Sequence, residues 1–164
     1  MDELVEAMKR TDAAGVVSFL AEDAVLRSPI SRRIVFRGRD QIREVLEVVY
    51  ALLDTAEVDA IVGEGDRRVL LLRASIGKLL IDEAMALRLD DAGRVTEMKL
   101  YVRAMPQLVT FAAVLGPPLA ARRGRVRALA LKALFAPLAF FVTAGEPLGV
   151  RLSGAGTPVD PRAD

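Results

Sequence analysis

The 164-residue chain contains no cysteine and no histidine. Without cysteine there is no disulfide and no thiolate nucleophile, a composition compatible with a reducing compartment. Without histidine the commonest general base and metal ligand is gone, and with it every Ser-His-Asp or Cys-His mechanism. Proton transfer would have to use Asp, Glu, Tyr, Lys or Arg. An excess of either charge is also missing. The formal net charge is +1, so no global field draws nucleic acid or an acidic partner. The opening "MDELVEAMKR" is acidic and amphipathic, unlike a signal peptide. The expected location is the cytoplasm.

What is present is apolar and patterned. Hydrophobic residues make up 52% and charged residues 27% of the chain, enough for one domain with a sizeable core. Leu4, Val5 and Met8 share a face of a first helix. Asp12 is a candidate N-cap for a second helix carrying Val16, Val17, Phe19 and Leu20. "AVLRSP" reads as a short strand stopped by Pro29. After "FRGRD", with Asp40 as candidate N-cap, Ile42, Val45, Leu46, Val49 and Leu53 keep the spacing of an amphipathic helix.

The period then drops from 3.6 to 2. Segments 57–62, 68–76, 80–89 and 95–103 are rich in Val, Ile and Leu and separated by Gly- and Asp-containing turns, which predicts an antiparallel meander. In the last of them Met98, Leu100 and Val102 point one way, and Glu97, Lys99, Tyr101 and Arg103 the other. Pro106 is placed to open a helix over 106–115, with "GPP" at 116–118 as its stop. The basic "ARRGRVR" then leads into "ALALKALFAPLAFFV", apolar on every side except for Lys132. This run is about 15 residues against the roughly 20 needed to cross a bilayer, and Pro137 interrupts it. The ordinary reading is a segment packed over the rest of the fold or a dimer partner, with a membrane-surface helix as the alternative. The expected division is a domain over 1–121, a helical extension over 122–150 and a disordered tail over 151–164.

The order helix, helix, short strand, helix, curved antiparallel sheet resembles the nuclear transport factor 2-like cone, an α+β fold shared by SnoaL-like cyclases, ketosteroid isomerases and limonene epoxide hydrolases. The words resemble it too: "TDAAGVVSFLAEDAVLRSP" its second helix and first strand, "FRGRDQIREVL" the start of its third helix, and "ALRLDDAGRVTEMKLYVR" its last two strands. The resemblance covers roughly residues 1–115. It implies an apolar pocket on the concave sheet face and a homodimer through the outer one, where Tyr101 and Arg103 lie. Isomerases of this type carry an aspartate base at the position of Ser28, a tyrosine near Leu4 and a protonated acid near Met85. The epoxide hydrolases' arginine and two acids fall on Arg73, Ser75 and Leu100, so of these only the arginine is kept.

The expectation is therefore an apolar pocket for a small hydrophobic molecule (a polyketide, terpenoid, steroid-like or fatty compound) without the usual acid/base set. Its walls are expected from Phe19, Tyr50, Leu71, Met85, Leu87, Met98, Leu100 and Val102. Period 2 over 82–89 puts Glu83 on the inner face with Met85, Leu87 and Leu89. The competing expectation is an isomerase, cyclase or epoxide-hydrolase-like enzyme using Glu83 and Arg73. If the 77–78 hairpin centres on Lys78, Arg73 lies opposite Glu83; a two-residue Gly77-Lys78 turn puts it opposite Asp82. No cofactor is implied. Asp90 and Asp91 read as turn residues instead of metal ligands. A third expectation is an interaction domain that docks its C-terminal helix on a partner or membrane.

Overall fold

The computed structural model describes residues 1–152. The elements run α1 Asp2–Lys9, α2 Ala13–Ser18, β1 Leu20–Arg27, β2 Val35–Arg37, α3 Gly38–Tyr50, β3 Thr55–Val62, β4 Arg67–Ile76, β5 Leu79–Leu89, β6 Val95–Arg103, α4 Met105–Ala121 and α5 Arg125–Leu152. The strands form one curved six-stranded sheet in the order β2-β1-β6-β5-β4-β3. Every neighbouring pair is antiparallel except β1 with β6. A parallel pair needs a long crossover. Here everything between residues 27 and 95 supplies it.

Asp12 caps α2 as the sequence predicts, its carboxylate accepting a hydrogen bond from the Gly15 N–H at 2.8 Å. A Cβ on Gly15 would sit 2.4 Å from that carboxylate, so the cap holds a glycine there. α2 ends at Ser18, and Leu20 already belongs to β1. Asp40 lies in the first turn of α3, and no side chain caps that helix. The short strand β2 was not legible. Its three residues are too few for a period.

The core lies between the sheet and the N-terminal helices. Leu4 and Met8 of α1, Val16 and Val17 of α2 and Ile42 and Leu46 of α3 pack on Leu26, Leu70, Met85, Leu87 and Met98. A second cluster joins Ile81 and Val48 to Phe111 and Leu115 of α4. That contact explains why α4 runs on through Pro117 and Pro118, where a stop was expected. The prolines cost backbone hydrogen bonds, but Leu115 before them and Leu119 after them both pack on the second cluster. Tertiary packing decides the helix. The extension is likewise one unbroken 28-residue helix through Pro137 and Pro147. Arg151 and Leu152 are its last residues, so they do not belong to the expected tail. Residues 153–164 of that tail lie outside the described residues.

Candidate functional site

A cavity of about 610 Å³ opens between the inner sheet face, α3 and the C-terminal helices. Its walls are mostly apolar. β-strands contribute Leu26, Phe36, Leu72, Met85, Met98 and Leu100; α3 contributes Val45 and Val49; Phe111, Leu115, Leu131 and Phe135 close it from α4 and α5. Exposed Lys9, Glu44, Arg123 and Arg127 border it, so the rim reaches solvent. The first part of the C-terminal extension therefore borders the cavity, and α5 packs on α4.

Glu44 and Glu57 lie exposed at the edge of this lining, and one further carboxylate, Glu83, is set among its apolar walls. β5 alternates, and its register sets Glu83 between Leu72 of β4 and Val102 of β6. Asp82, one residue earlier, pairs with Arg73 and Arg103 on the opposite face. The Glu83 residue is only partly covered, but its Oε1 is buried and has no hydrogen-bond partner among the described residues. Burial without an opposite charge disfavours the ionised form. It pushes the Glu83 carboxyl from its ordinary 4.5 to about 7. Tyr50, on the last turn of α3, lines the same cavity. Burial, then the charge of Glu83, then that of Asp12 raise the Tyr50 hydroxyl well above its usual range, so it remains a donor. Glu83 and Tyr50 thus give an apolar pocket one group that can donate or accept a proton near neutral pH and one that donates a hydrogen bond.

The structure separates the expected pair. The β4–β5 hairpin closes on Gly77 and Lys78 alone, with Ile76 opposite Leu79. Gly77 takes a φ of +59°, which favours glycine and supports the tight turn. Arg73 therefore stands opposite Asp82, and not opposite Glu83. Arg73 nevertheless borders the cavity. Its guanidinium is taken by Asp59, which accepts from Nε and Nη2 at 2.8 Å each, with Glu57 at 3.6 Å. Arg73 holds the Asp59 carboxyl below its usual range in return.

Of the expected wall residues, Tyr50, Met85, Met98 and Leu100 line the cavity. Leu71 does not. In the run Leu70-Leu71-Leu72 period 2 cannot tell inside from outside, and Leu71 is the outward one, 42% exposed. Phe19 packs on the first core cluster as the C-cap of α2, and Leu87 is buried within that cluster. Val102 packs with the second cluster. None of these three borders the cavity. Missed by sequence reasoning are the α4 and α5 residues, whose helices are apolar all round and show no preferred face.

Ser28, in the position of the isomerases' base, lines the cavity with its hydroxyl accepting from the Ile30 N–H at 3.2 Å. Leu4 is core, and Ser75 shares a hydroxyl hydrogen bond of 2.8 Å with Thr55. Asp90 shapes its turn by accepting from the Ala92 and Arg94 N–H groups. Among the described residues no group of three His, Cys, Asp or Glu is placed to hold a metal ion. Tyr101 is exposed on the outer face, with the Lys99 ammonium 5.1 Å from its ring centre.

Comparison with known proteins places this geometry. The family model described as SnoaL-like domain matches residues 1–98. The fold is similar to a steroid delta-isomerase from Pseudomonas aeruginosa, at 25% identity and a TM-score of 0.65 over 72% of this chain and 87% of that one. It is similar to an uncharacterized cystatin-like-fold protein from Silicibacter pomeroyi, at 21% identity and a TM-score of 0.66 over 80% and 91%. It is also similar to an epoxide hydrolase/cyclase-like enzyme of salinomycin pyran-ring formation, at 18% identity and a TM-score of 0.56 over 65% and 88%. No curated protein matches the sequence.

Proposed function

The chain belongs to the SnoaL-like domain family, and from that premise we propose that its cavity binds a small lipophilic molecule through one polar group placed at Glu83. The observation that carries this reading is the buried, unpartnered Glu83 Oε1 in a cavity with mostly apolar walls. A buried oxygen left without a partner costs about 1–3 kcal/mol. A ligand hydroxyl or carbonyl removes that cost, and the apolar walls supply affinity without direction. The protonated carboxyl donates to a carbonyl; the ionised one accepts from a hydroxyl. Tyr50 supplies a second donor. The test is native mass spectrometry of the full chain purified from its own host. The expected result is a retained lipophilic molecule bearing oxygen, lost when Leu100→Trp fills the cavity. A ligand-free protein that also fails to bind hydrophobic hydroxyl- or keto-compounds overturns the reading.

A second reading rests on the carboxyl near 7. A group that titrates near neutrality is matched to general acid–base work. Here Glu83 alone would move the proton of an isomerase- or cyclase-like reaction, because Arg73 is committed elsewhere. Hydrogen–deuterium exchange at the α-carbon of a bound lipophilic ketone, abolished by Glu83→Gln, supports it. Exchange no faster than in buffer rejects it. The proposed homodimer would use the outer sheet face, where Leu71 and Tyr101 are exposed.

A further inference from the structure

α5 has two apolar faces and, among the described elements, packs chiefly on α4. Ala128, Leu131, Phe135, Ala139, Val142 and Val150 are its half-covered residues, the first five spaced by three and four, and this seam lies against α4. Leu131 meets α4 at Gly116, where a Cβ would come within 3.7 Å of its side chain. The opposite side carries Val126, Leu129, Leu134, Phe140, Phe141 and Leu148, each at least 59% exposed. No residue of α5 is buried. An exposed apolar surface of this extent marks an interaction site.

Charge decides the occupant. Residues 104–145 contain no Asp or Glu, while Arg122, Arg123, Arg125, Arg127 and Lys132 lie in the connection and the first turns of α5. Among the described residues only Arg122 of these is in an ion pair, with Glu47 at 3.1 Å. The 104–145 segment of a second copy would bring the same arginines and no acid to meet them. An anionic headgroup layer meets both features at once, arginines in the headgroups and apolar side chains below them.

We infer that α5 lies flat on an anionic bilayer with its outer face inserted. By length and composition the helix is also apolar enough to cross a membrane. Crossing would strip its seam from α4, which Phe111 and Leu115 fix to the sheet, and would open the cavity wall at Leu131 and Phe135. The in-plane placement keeps both. It does not depend on the cavity being filled.

The test is co-sedimentation of the full chain with phosphatidylglycerol/phosphatidylcholine vesicles and with phosphatidylcholine alone. Binding is expected to the anionic vesicles, weakened at high salt and by about fivefold for Arg125→Gln. Phe140→Asp should abolish it while the circular dichroism and unfolding curve stay those of the parent chain. A chain that stays in the supernatant overturns the inference. So does bound protein that resists alkaline carbonate, since α5 would then span. So does a dimer in vesicle-free solution that Phe140→Asp dissociates with no vesicle binding, since a second copy would then cover the face.

Discussion

The sheet and α5 are made of similar side chains and bury them very differently. In β5 and β6 apolar residues alternate with charged ones, so one face can be buried while the other stays wet. Met85, Leu87 and Met98 are all at most 8% exposed. In α5 the apolar residues occur on all sides, and a single neighbour covers only one seam. The lesson is that burial follows pattern and partner more than hydrophobicity. The cone is a finished core with a cavity cut into it, and the C-terminal helix is a surface that still has a face to cover.

Four substitutions would break or sharpen that contrast. The largest effect belongs in the cone: Leu70 is fully buried, and Leu70→Ala should destabilise the fold by about 2–5 kcal/mol in urea unfolding. Next is Glu83. Its folded-state pKa is raised from 4.5 to about 7, so the folded protein holds this proton more tightly than the unfolded chain. The destabilisation is absent below 4.5, grows as pH rises between those values and is complete above about 7. Glu83→Gln should therefore be near neutral at acid pH and stabilising by roughly 3 kcal/mol above neutrality, seen as parallel unfolding curves at acid pH that separate as pH rises. On α5, Phe141→Ser should change stability by no more than about 0.5 kcal/mol in the same assay. Smallest is Arg73→Ala. With its guanidinium held by Asp59 and Glu57 at the exposed edge of the cavity, ligand affinity measured by calorimetry should change by less than for any substitution of Glu83.

Most of the fold could be read from the sequence because its periods are clean. The four long strands fall within a residue or two of the segments read from period 2. The Asp12 cap and the inward set Met98, Leu100 and Val102 needed only local chemistry and alternation. Glu83 was placed inside for the same reason. Reading failed where local pattern is silent. The triplet Leu70-Leu71-Leu72 has no alternation, so Leu71 was set on the wrong face. The Gly77-Lys78 turn admitted two registers, and the backbone conformation of Gly77 selects the one that parts Arg73 from Glu83. Pro117 and Pro118 marked a stop that long-range packing overrides. The α4 and α5 wall of the cavity has no favoured face in sequence, so only the fold reveals which residues it presents.

A single carboxyl held neutral among apolar walls is the centre of the proposed site. The most direct measurement is the infrared difference spectrum of the parent chain minus Glu83→Gln across pH. The expected result is a protonated-carboxyl band that persists to about pH 7 and shifts when a lipophilic ligand binds. A Glu83 band lost near pH 4.5, unmoved by any ligand, would contradict it.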